Sequence, residues 1–366
     1  MDFSFREPNM ELFVLLHNAK HKDGIQSLRE YLVDHSMYTL YTTLVQKGLL
    51  ENNKDDLNKI VADKENKLNS LLEEKKKDPE NSTFVQSVNI KIAELHASCL
   101  DLDDALEDMR TLLREEASLS FKMDVHLCKI RMGILLRNKS LVEASMEDAR
   151  DVFVRGCDWD RRNKFKIYQG IYFLMKGRFL ESAQYFNESL PSFESNEMVS
   201  YKDAVQYMIF AGLLTYSRTE IKTKLIECSE VNEVGSPESI NLIKSLYECN
   251  YYDYLPMLYK FLSSVSHNVY LSHFIDYFCK EMKKKAYKQL LDSYQFISIS
   301  NMAQLFGIEE SYLEEDLASF IVEGDLNCKI DKIDGIILVE DVEDQSIQKI
   351  IDKGNNLIRM IKKNVK

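Results

Sequence analysis

The feature that most constrains this chain is a short helical pattern that recurs with a fixed period. A leucine is followed three positions later by an alanine in three units that begin 39 residues apart: Leu102 to Ala105, Leu141 to Ala144 and Leu180 to Ala183. Residues three apart share one helix face, and a small residue there lets a partner helix approach closely. A period near 40 residues predicts one helical hairpin per repeat, which must stack on its neighbours to bury its apolar face.

The third unit is the clearest of the three. Gly170, Gly177, Phe179 and Phe186 fall where a tetratricopeptide (TPR) hairpin carries glycine or an aromatic residue, although Lys166 replaces the usual tryptophan. The fold class predicted here is therefore mainly α, with TPR-like helical-hairpin repeats that form a right-handed α-solenoid. Only 12 glycines and 5 prolines occur in 366 residues, which also favours helix-on-helix packing over a parallel sheet with glycine-rich turns.

The segment before the repeats also reads as helical. Two short helices are predicted at Met10 to Asn18 and Ile25 to His35, and a third around Thr39 to Lys47. A strongly charged stretch from Leu57 to Lys77 has a narrow apolar stripe and predicts a long, mostly solvated helix. The polar run from Lys77 to Ser82 contains a proline and predicts a helix stop followed by a turn.

Helices continue through residues 202–292, where Ser236 is expected to cap a helix that begins at Pro237. An aromatic-rich run follows and is interpreted as core rather than as a ligand cage. Its members are Tyr247, Tyr251, Tyr252, Tyr254 and Phe261.

The pattern changes after this region. A β-prone run at Phe296 to Ile299 precedes a helix at Asn301 to Phe306, which Ser300 is expected to cap and Gly307 to close. A second helix is expected from Glu309 to Val322, ended by Gly324. Two β-prone runs, Leu326 to Ile330 and Ile336 to Val339, then meet at the hairpin signal Asp334-Gly335. This order predicts a winged helix.

A final helix is predicted at about Gln345 to Lys363. Its apolar stripe must pack on its own chain or on a partner, so we predict that it binds partners. The stripe consists of Ile347, Ile350, Ile351, Leu357, Ile358 and Ile361.

No pattern in the sequence predicts a catalytic, cofactor or metal site. His17 and His21 share a helix face and His126 lies two residues from Cys128, but neither pair has a further ligand at the required spacing. Phosphate-binding, dinucleotide-binding and nucleophile-elbow motifs are missing from the sequence. The seven cysteines are widely spaced and predict a reducing cytosol or nucleus rather than a disulfide framework.

Nucleic-acid binding is disfavoured by the charge of the chain. The net charge is −12, and the expected recognition helix is acidic, with no lysine or arginine between Ile308 and Cys328. A basic stretch lies upstream, and its simplest interpretation is a solvated helix face that meets an acidic neighbour. Its members are Lys280, Lys283, Lys284, Lys285 and Lys288.

Hairpin repeats, a winged helix and a terminal helix in this order resemble the PCI-domain family of proteasome-lid, signalosome and initiation-factor subunits. Over roughly residues 55–366 the sequence is similar to the seventh non-ATPase subunit type of the proteasome regulatory particle. The most specific block runs from Asp158 to Gly170 and contains Asp158, Trp159, Asp160, Arg161 and Arg162. Further matches are Ser245 to Cys249, Ala286-Tyr287, Met302-Ala303, Phe306-Gly307 and Cys328 to Lys332.

The resemblance implies a non-catalytic scaffold in the lid of the 26S proteasome, in cytoplasm and nucleus, that supports ATP-dependent degradation of ubiquitinated proteins. Partners would be other PCI subunits, through the winged helix and terminal helix, and the ATPase base, through the N-terminal repeats. The block from Asp158 to Arg162 is interpreted as structural, pinning adjacent helices by charge-assisted hydrogen bonds. The alternatives are the paralogous signalosome subunit, which acts on cullin ligases, and an RNA-associated PCI protein.

The sequence is accordingly divided into four parts. Residues 1–53 form an N-terminal helical segment, and residues 54–225 form the repeat region. Residues 226–340 form the PCI domain, whose winged helix occupies about 286–340, and residues 341–366 form the C-terminal bundle helix. No cofactor, membrane or nucleic-acid partner is expected.

Overall fold

The structure, a computed structural model, describes residues 5–19, 24–114, 117–193, 195–339 and Gly354. The described chain divides into two compact units. The first contains the residues up to Thr215 together with His267–Leu271, and the second contains Tyr216–Ser266 and the residues from Ser272 onward. Within the described ranges, no helix is long and apolar enough to cross a membrane. The predicted C-terminal helix and its apolar stripe lie outside the described residues.

The first unit consists of helices. Its α-helices are α1 (Glu11–Asn18), α2 (Ile25–Asp34), α3 (Tyr38–Gln46), α4 (Lys54–Lys77), α5 (Ser82–Ser98), α6 (Leu102–Arg114), α7 (Leu119–Leu135), α8 (Lys139–Arg155), α9 (Trp159–Met175), α10 (Phe179–Ser189) and α11 (Tyr201–Thr215), with a 3₁₀ turn at Leu190–Ser192. The predicted stop after the long charged helix is confirmed, since α4 ends at Lys77. The side chain of Asn81 then caps α5 by accepting a hydrogen bond from the Phe84 amide, at 3.3 Å.

Three consecutive helical hairpins form the centre of this unit, as the repeat predicted. They pair α5 with α6, α7 with α8, and α9 with α10, and α11 packs against α10. Each hairpin turns at a residue in the left-handed region, namely Leu100 (φ 56°), Arg137 (φ 54°) and Gly177 (φ 72°). These turn residues lie 37 and then 40 residues apart, so the structural repeat departs from the uniform period of the sequence pattern.

Because of this difference in spacing, the predicted position of one repeat alanine is wrong. Ala105 and Ala183 are fully buried, but Ala144 is exposed. One residue of displacement along a helix rotates a side chain by about 100°. In α8 the buried face is therefore made by Val142, Ser145 and other residues, and not by the alanine of the repeated pattern.

Close helix packing in the third hairpin depends on Gly170. A Cβ atom at this position would lie 3.1 Å from Cε1 of the Phe186 ring. Across the same contact, the buried Ser182 hydroxyl donates a 2.8 Å hydrogen bond to the Gly170 carbonyl. Two of the four predicted TPR-like positions, Gly170 and Phe186, therefore meet in one helix–helix contact.

The second unit combines helices with a small sheet. Its helices are α12 (Arg218–Ile221), which continues into a π-helical turn (Lys222–Ile226), α13 (Ser229–Val234), α14 (Pro237–Tyr247), α15 (Tyr251–Val265), α16 (Ile275–Leu291), preceded by a 3₁₀ turn (Ser272–Phe274), α17 (Ile299–Phe306) and α18 (Glu310–Val322). Its strands are β1 (Phe296–Ser298), β2 (Cys328–Asp331) and β3 (Ile336–Val339). Ser236 caps α14 as predicted, because its hydroxyl accepts from the Ser239 amide at 3.2 Å.

The order α16, β1, α17, α18, β2, β3 is that of a winged helix, which confirms the predicted fold class. The sheet is antiparallel with β3 between β1 and β2. One predicted cap is wrong: Ser298, and not Ser300, caps α17 and accepts from the Asn301 amide at 3.3 Å. Ser298 has the extended backbone that a capping residue needs, whereas Ser300 already lies inside the helix.

The aromatic-rich run mostly forms the core of this unit, as predicted. Tyr254 is fully buried and its hydroxyl donates to the Met282 carbonyl at 3.0 Å, while Tyr287 packs edge-on against Phe306 with ring centroids 4.9 Å apart. The prediction is wrong for Tyr252, which is exposed. Its ring lies over Gly307, where a Cβ atom would approach to 2.9 Å.

Candidate protein-interaction surfaces

The block from Asp158 to Arg162 begins α9, and two of its residues join this helix to α7 and α8. The Nε atom of Arg161 donates to Oδ2 of Asp124 in α7, at 3.2 Å, and its Nη1 donates to Oδ2 of Asp158, also at 3.2 Å. The guanidinium of Arg162 lies 4.6 Å from the centroid of the Phe153 ring in α8. These contacts hold the start of α9 against the preceding hairpin.

Burial affects the carboxylate that Arg161 contacts. Asp124 has only 4% of its side chain exposed. Burial raises the pKa of Asp124 to about 6, although the nearby Arg161 guanidinium acts in the opposite direction. The pair therefore joins two helices without solvent around the carboxylate, so loss of one partner is costly.

Trp159 behaves differently from the rest of its block. Its side chain is 63% exposed, and Asp160 beside it is exposed as well. The sequence block thus separates into arginines that contact neighbouring helices and an indole that faces solvent. Gly170, at the other end of the block, belongs to the buried contact with Phe186.

Four of the five lysines in the basic stretch of α16 are bonded within the second unit. Lys283 is buried and bonds to Oδ2 of Asp316 at 2.9 Å and to the Tyr312 hydroxyl. Burial alone would lower the pKa of Lys283, but these two hydrogen bonds raise it above its ordinary value. The Tyr287 hydroxyl donates to the same carboxylate at 3.1 Å.

The neighbouring lysines are also bonded. Lys284 contacts Oδ1 of Asp325 at 3.3 Å, and Lys280 pairs with Glu323. Lys285 donates to the Tyr216 carbonyl at 2.8 Å, and burial lowers its pKa to about 8. The expected acidic neighbour of this basic face is thus α18 with its following turn, and a phosphate backbone would have to compete with these carboxylates for the lysines.

The winged-helix sheet presents an apolar outer face that the sequence reading did not single out. Phe296 of β1 is 65% exposed and pairs in register with Leu338 of β3, which is 45% exposed. Lys329 of β2 lies opposite Leu338 on the other side. The alternation of exposed and buried residues along β1 and β3 is the signal that could have identified this face.

The wing itself ends in an exposed apolar residue. Ile333 at the tip is almost completely exposed, while Asp331 holds the turn by accepting from the amides of Ile333 and Asp334. Within the described residues β2 lies at one side of the sheet and pairs with the central strand β3. The exposed apolar residues form one candidate protein-binding surface, here called the wing surface and made of Phe296, Leu338 and Ile333.

The histidines do not assemble into a site in the described part of the chain. His96 bonds to Asp108 at 2.7 Å, and His35 stacks on Tyr31. His126 is buried and lies 3.8 Å from Asp148, and its pKa is lowered to about 4, mainly by burial. His21 lies outside the described residues. Among those described, no group of three or more His, Cys, Asp or Glu residues could hold a metal ion.

The chain is similar along its length to proteins of one named kind. It is 28% identical over 375 residues to the 26S proteasome non-ATPase regulatory subunit 6 of Dictyostelium discoideum, covering 99% of this chain and 98% of the relative. It is also 28% identical to the 26S proteasome regulatory subunit RPN7 of Saccharomyces cerevisiae, covering 98% and 92%. Similarity to COP9 signalosome complex subunit 1 of Arabidopsis thaliana is 23% and covers 54% of this chain and 46% of that protein.

Two family models match separate parts of the chain. The model described as 26S proteasome subunit RPN7 matches residues 51–224, which include the three helical hairpins. The PCI domain model matches residues 260–341, which include the winged helix. The chain therefore contains a PCI domain preceded by a helical region that is similar to the RPN7 family model.

Proposed function

We propose that this chain is a structural subunit of the lid of the 26S proteasome regulatory particle, supporting lid assembly and ATP-dependent degradation of ubiquitinated proteins. This proposal rests on the sequence similarity of the chain to proteins named as 26S proteasome regulatory subunits. The similarity extends over almost the whole length of this chain and of each relative. Similarity to the signalosome subunit covers only about half of each chain.

The wing surface is the proposed contact for other PCI subunits. Phe296 on β1 and Leu338 on β3 form an exposed apolar pair on this surface, which favours a partner with a similar apolar face. Association through this surface would give a hetero-oligomer of PCI subunits.

The C-terminal helix is proposed as a second contact, packed in a bundle with the corresponding helices of other lid subunits. This proposal rests on the apolar stripe in its sequence, which includes Ile350 and Leu357. Replacing Ile350 and Leu357 with Asp should leave the chain soluble but unincorporated. Normal lid assembly by that variant would refute the role of the helix.

The N-terminal repeats are proposed to contact the ATPase base, and the complex is expected in both cytoplasm and nucleus. We also propose that the chain is non-catalytic, because its sequence has no recognised catalytic motif. Substantial cleavage of ubiquitin chains by the purified chain would contradict this part of the proposal.

The deciding experiment is affinity purification of the tagged chain from its native cells, followed by mass spectrometry. Co-purification of proteasome ATPases and lid subunits in near-equal amounts is the expected result. Recovery of cullins and signalosome subunits would instead assign the chain to the paralogous complex.

A second candidate, an RNA-associated PCI protein, is disfavoured by the bonded lysines of α16 and the acidic α18. A salt-dependent RNA mobility-shift assay tests it directly. Submicromolar RNA binding by the purified chain at physiological salt would overturn the assignment.

A further inference from the structure

A buried arginine in the repeat region obtains most of its hydrogen bonds from the beginning of the chain. Arg131 lies on α7 and is only 1% exposed. Its Nε donates to the Pro8 carbonyl at 2.9 Å, and its Nη2 donates to the carbonyls of Phe5 at 2.8 Å and Glu7 at 3.2 Å. A buried guanidinium is costly unless its donors are satisfied, so Arg131 depends on this N-terminal segment.

The remaining bond of Arg131 comes from the third hairpin. Its Nη1 donates to the Tyr168 hydroxyl of α9 at 2.5 Å, and that hydroxyl also lies 3.5 Å from Oε1 of Glu197. The guanidinium is therefore surrounded by neutral oxygen acceptors, three of them main-chain carbonyls. This arrangement recognises main-chain carbonyls rather than a carboxylate side chain.

The same segment, Phe5–Met10, bonds to other parts of the repeat region and is here called the strap. The Arg6 amide donates to Oε1 of Glu94 in α5 at 3.2 Å. The Cys128 thiol of α7 donates to the Glu7 carbonyl at 3.4 Å, and the Met10 amide donates to the Glu197 carbonyl, after α10, at 3.1 Å. The strap thus bonds to the first two hairpins and to the segment that follows the third.

Side chains of the strap supply further anchors. Phe5, Pro8 and Met10 are buried, whereas Arg6 is exposed. The Phe5 ring lies 6.0 Å from the ring of Phe121 at the start of α7. The strap is therefore held both by its buried side chains and by its hydrogen-bonded carbonyls, as a peptide bound in a groove would be.

Contacts between residues more than a hundred positions apart matter in a repeat fold. Each hairpin of a solenoid normally contacts only its neighbours, so its stability is a sum of local terms and the array can open repeat by repeat. A strap that bonds to α5, α7 and the segment after α10 connects the hairpins directly and opposes separate opening.

We propose that the surface around Arg131, Tyr168 and Cys128 is a peptide-binding site that takes a chain segment through its main-chain carbonyls. Its occupant is the strap of the same chain, which locks the three hairpins into one cooperative unit. The site is independent of the wing surface and of the function proposed above.

The first test uses the intact chain and limited proteolysis by trypsin after Arg6. Arg6 is exposed, but a seated strap must leave its groove to enter the protease. Arg131→Lys keeps the charge but loses the forked donors, so we expect cleavage after Arg6 to become about tenfold faster. Arg150→Lys, at an exposed position of α8, is the matched control and should cleave like the unaltered chain. Equal rates for all three proteins would overturn the proposal.

The second test supplies the strap as a separate molecule. A chain lacking residues 1–10 is mixed with a labelled peptide of residues 1–12, with a scrambled peptide as control, and anisotropy and circular dichroism are measured. Saturable binding, or recovery of helical signal if the shortened chain has lost it, supports the site, and Arg131→Lys should weaken either effect at least tenfold. Neither binding nor recovery, or equal binding of the scrambled peptide, would overturn it. Dimerisation of the intact chain by strap exchange would identify a second copy as the occupant and contradict the proposal that the strap acts in its own chain.

Discussion

The Nε atom of Arg161 lies 3.2 Å from Oδ2 of Asp124, so the first turn of α9 is bonded to a carboxylate buried in α7. This pair joins two hairpins of the repeat region at their interface. Its two members respond differently to pH, because the guanidinium stays charged while the pKa of Asp124 is raised to about 6.

Asp124 should therefore make stability depend on pH. Its folded-state pKa lies above the ordinary value of 3.8, so the folded chain binds more protons than the unfolded chain between about pH 4 and 6. The resulting stabilisation is fully present below about pH 4 and is lost as pH rises through 6. We expect the unfolding free energy of the unaltered chain, relative to Asp124→Asn, to fall on the order of 3 kcal/mol across this window. Urea unfolding at stepped pH measures this difference, with the exposed Asp151→Asn as control. A difference independent of pH would contradict the raised pKa.

The contact of Gly133 with α8 should tolerate no side chain unless its neighbour is trimmed. A Cβ atom at Gly133 would lie 2.7 Å from Cγ2 of Val142. Gly133→Ala should reduce the free energy of unfolding by about 1 to 3 kcal/mol through overpacking. Adding Val142→Ala should recover part of this loss, because the clashing methyl group is removed. Thermal or urea unfolding of the two single variants and the double variant gives the coupling energy, and strict additivity would show that the clash is relieved elsewhere.

Lys283 should stabilise the winged-helix unit, whereas Lys288 on the same helix should not. Replacing Lys283 with Met leaves Asp316 and Tyr312 without their buried cation, and we expect a loss of about 1 to 3 kcal/mol. Lys288 is exposed, so Lys288→Met should change stability by less than about 0.5 kcal/mol. Urea unfolding followed by circular dichroism compares the two variants. Equal effects would mean that the bond to Asp316 contributes little.

The outer face of the sheet should matter for assembly rather than for folding. Phe296→Ser combined with Leu338→Ser removes the exposed apolar pair while leaving the buried face of the sheet unchanged. We expect an intact fold by circular dichroism and at least about a fivefold loss of incorporation into the lid, measured by co-sedimentation with lid subunits. Val322→Ser, at a position 87% exposed on α18 rather than on the sheet, is the control. Unchanged incorporation of the double variant would exclude this face as a contact.

Local signals explain why the winged helix could be predicted from the sequence. Gly307, Gly324 and Gly335 all take positive φ and end two helices or turn the wing, as their places in the sequence indicated. The error at Ser300 is small, because Ser298 and Ser300 both carry a hydroxyl that can cap a helix and only the end of β1 selects Ser298.

The register of the repeats and the roles of individual residues in the block from Asp158 to Arg162 were harder to predict from the sequence. The turns at Leu100 and Arg137 take positive φ without glycine, so no residue type marked them, and a regular period of leucines and alanines placed Ala144 on the wrong face. In the block from Asp158 to Arg162, Arg161 makes charge-assisted hydrogen bonds of the kind expected, whereas Arg162 lies over an aromatic ring and Trp159 is exposed. Exposure of an indole depends on which hairpin lies beside it, and helical periodicity does not report this.

The strap around Arg131 could not be predicted from the sequence. Its bonds connect residues separated by more than 120 positions and are made by main-chain carbonyls, which carry no residue-specific signature. The one sequence feature that pointed to this contact was an arginine within the apolar run of α7. An arginine alone does not indicate which groups accept its hydrogen bonds.

The exposure of Trp159 has an optical consequence. This is the only tryptophan of the chain, and most of its indole faces water. The fluorescence emission maximum of the folded, isolated chain will therefore lie close to that of an unfolded protein. Denaturation will shift this maximum little. The same exposure makes the indole a reporter of binding at the start of α9. A partner that covers Trp159 would shift the emission maximum to shorter wavelength, and no other tryptophan would contribute to the signal.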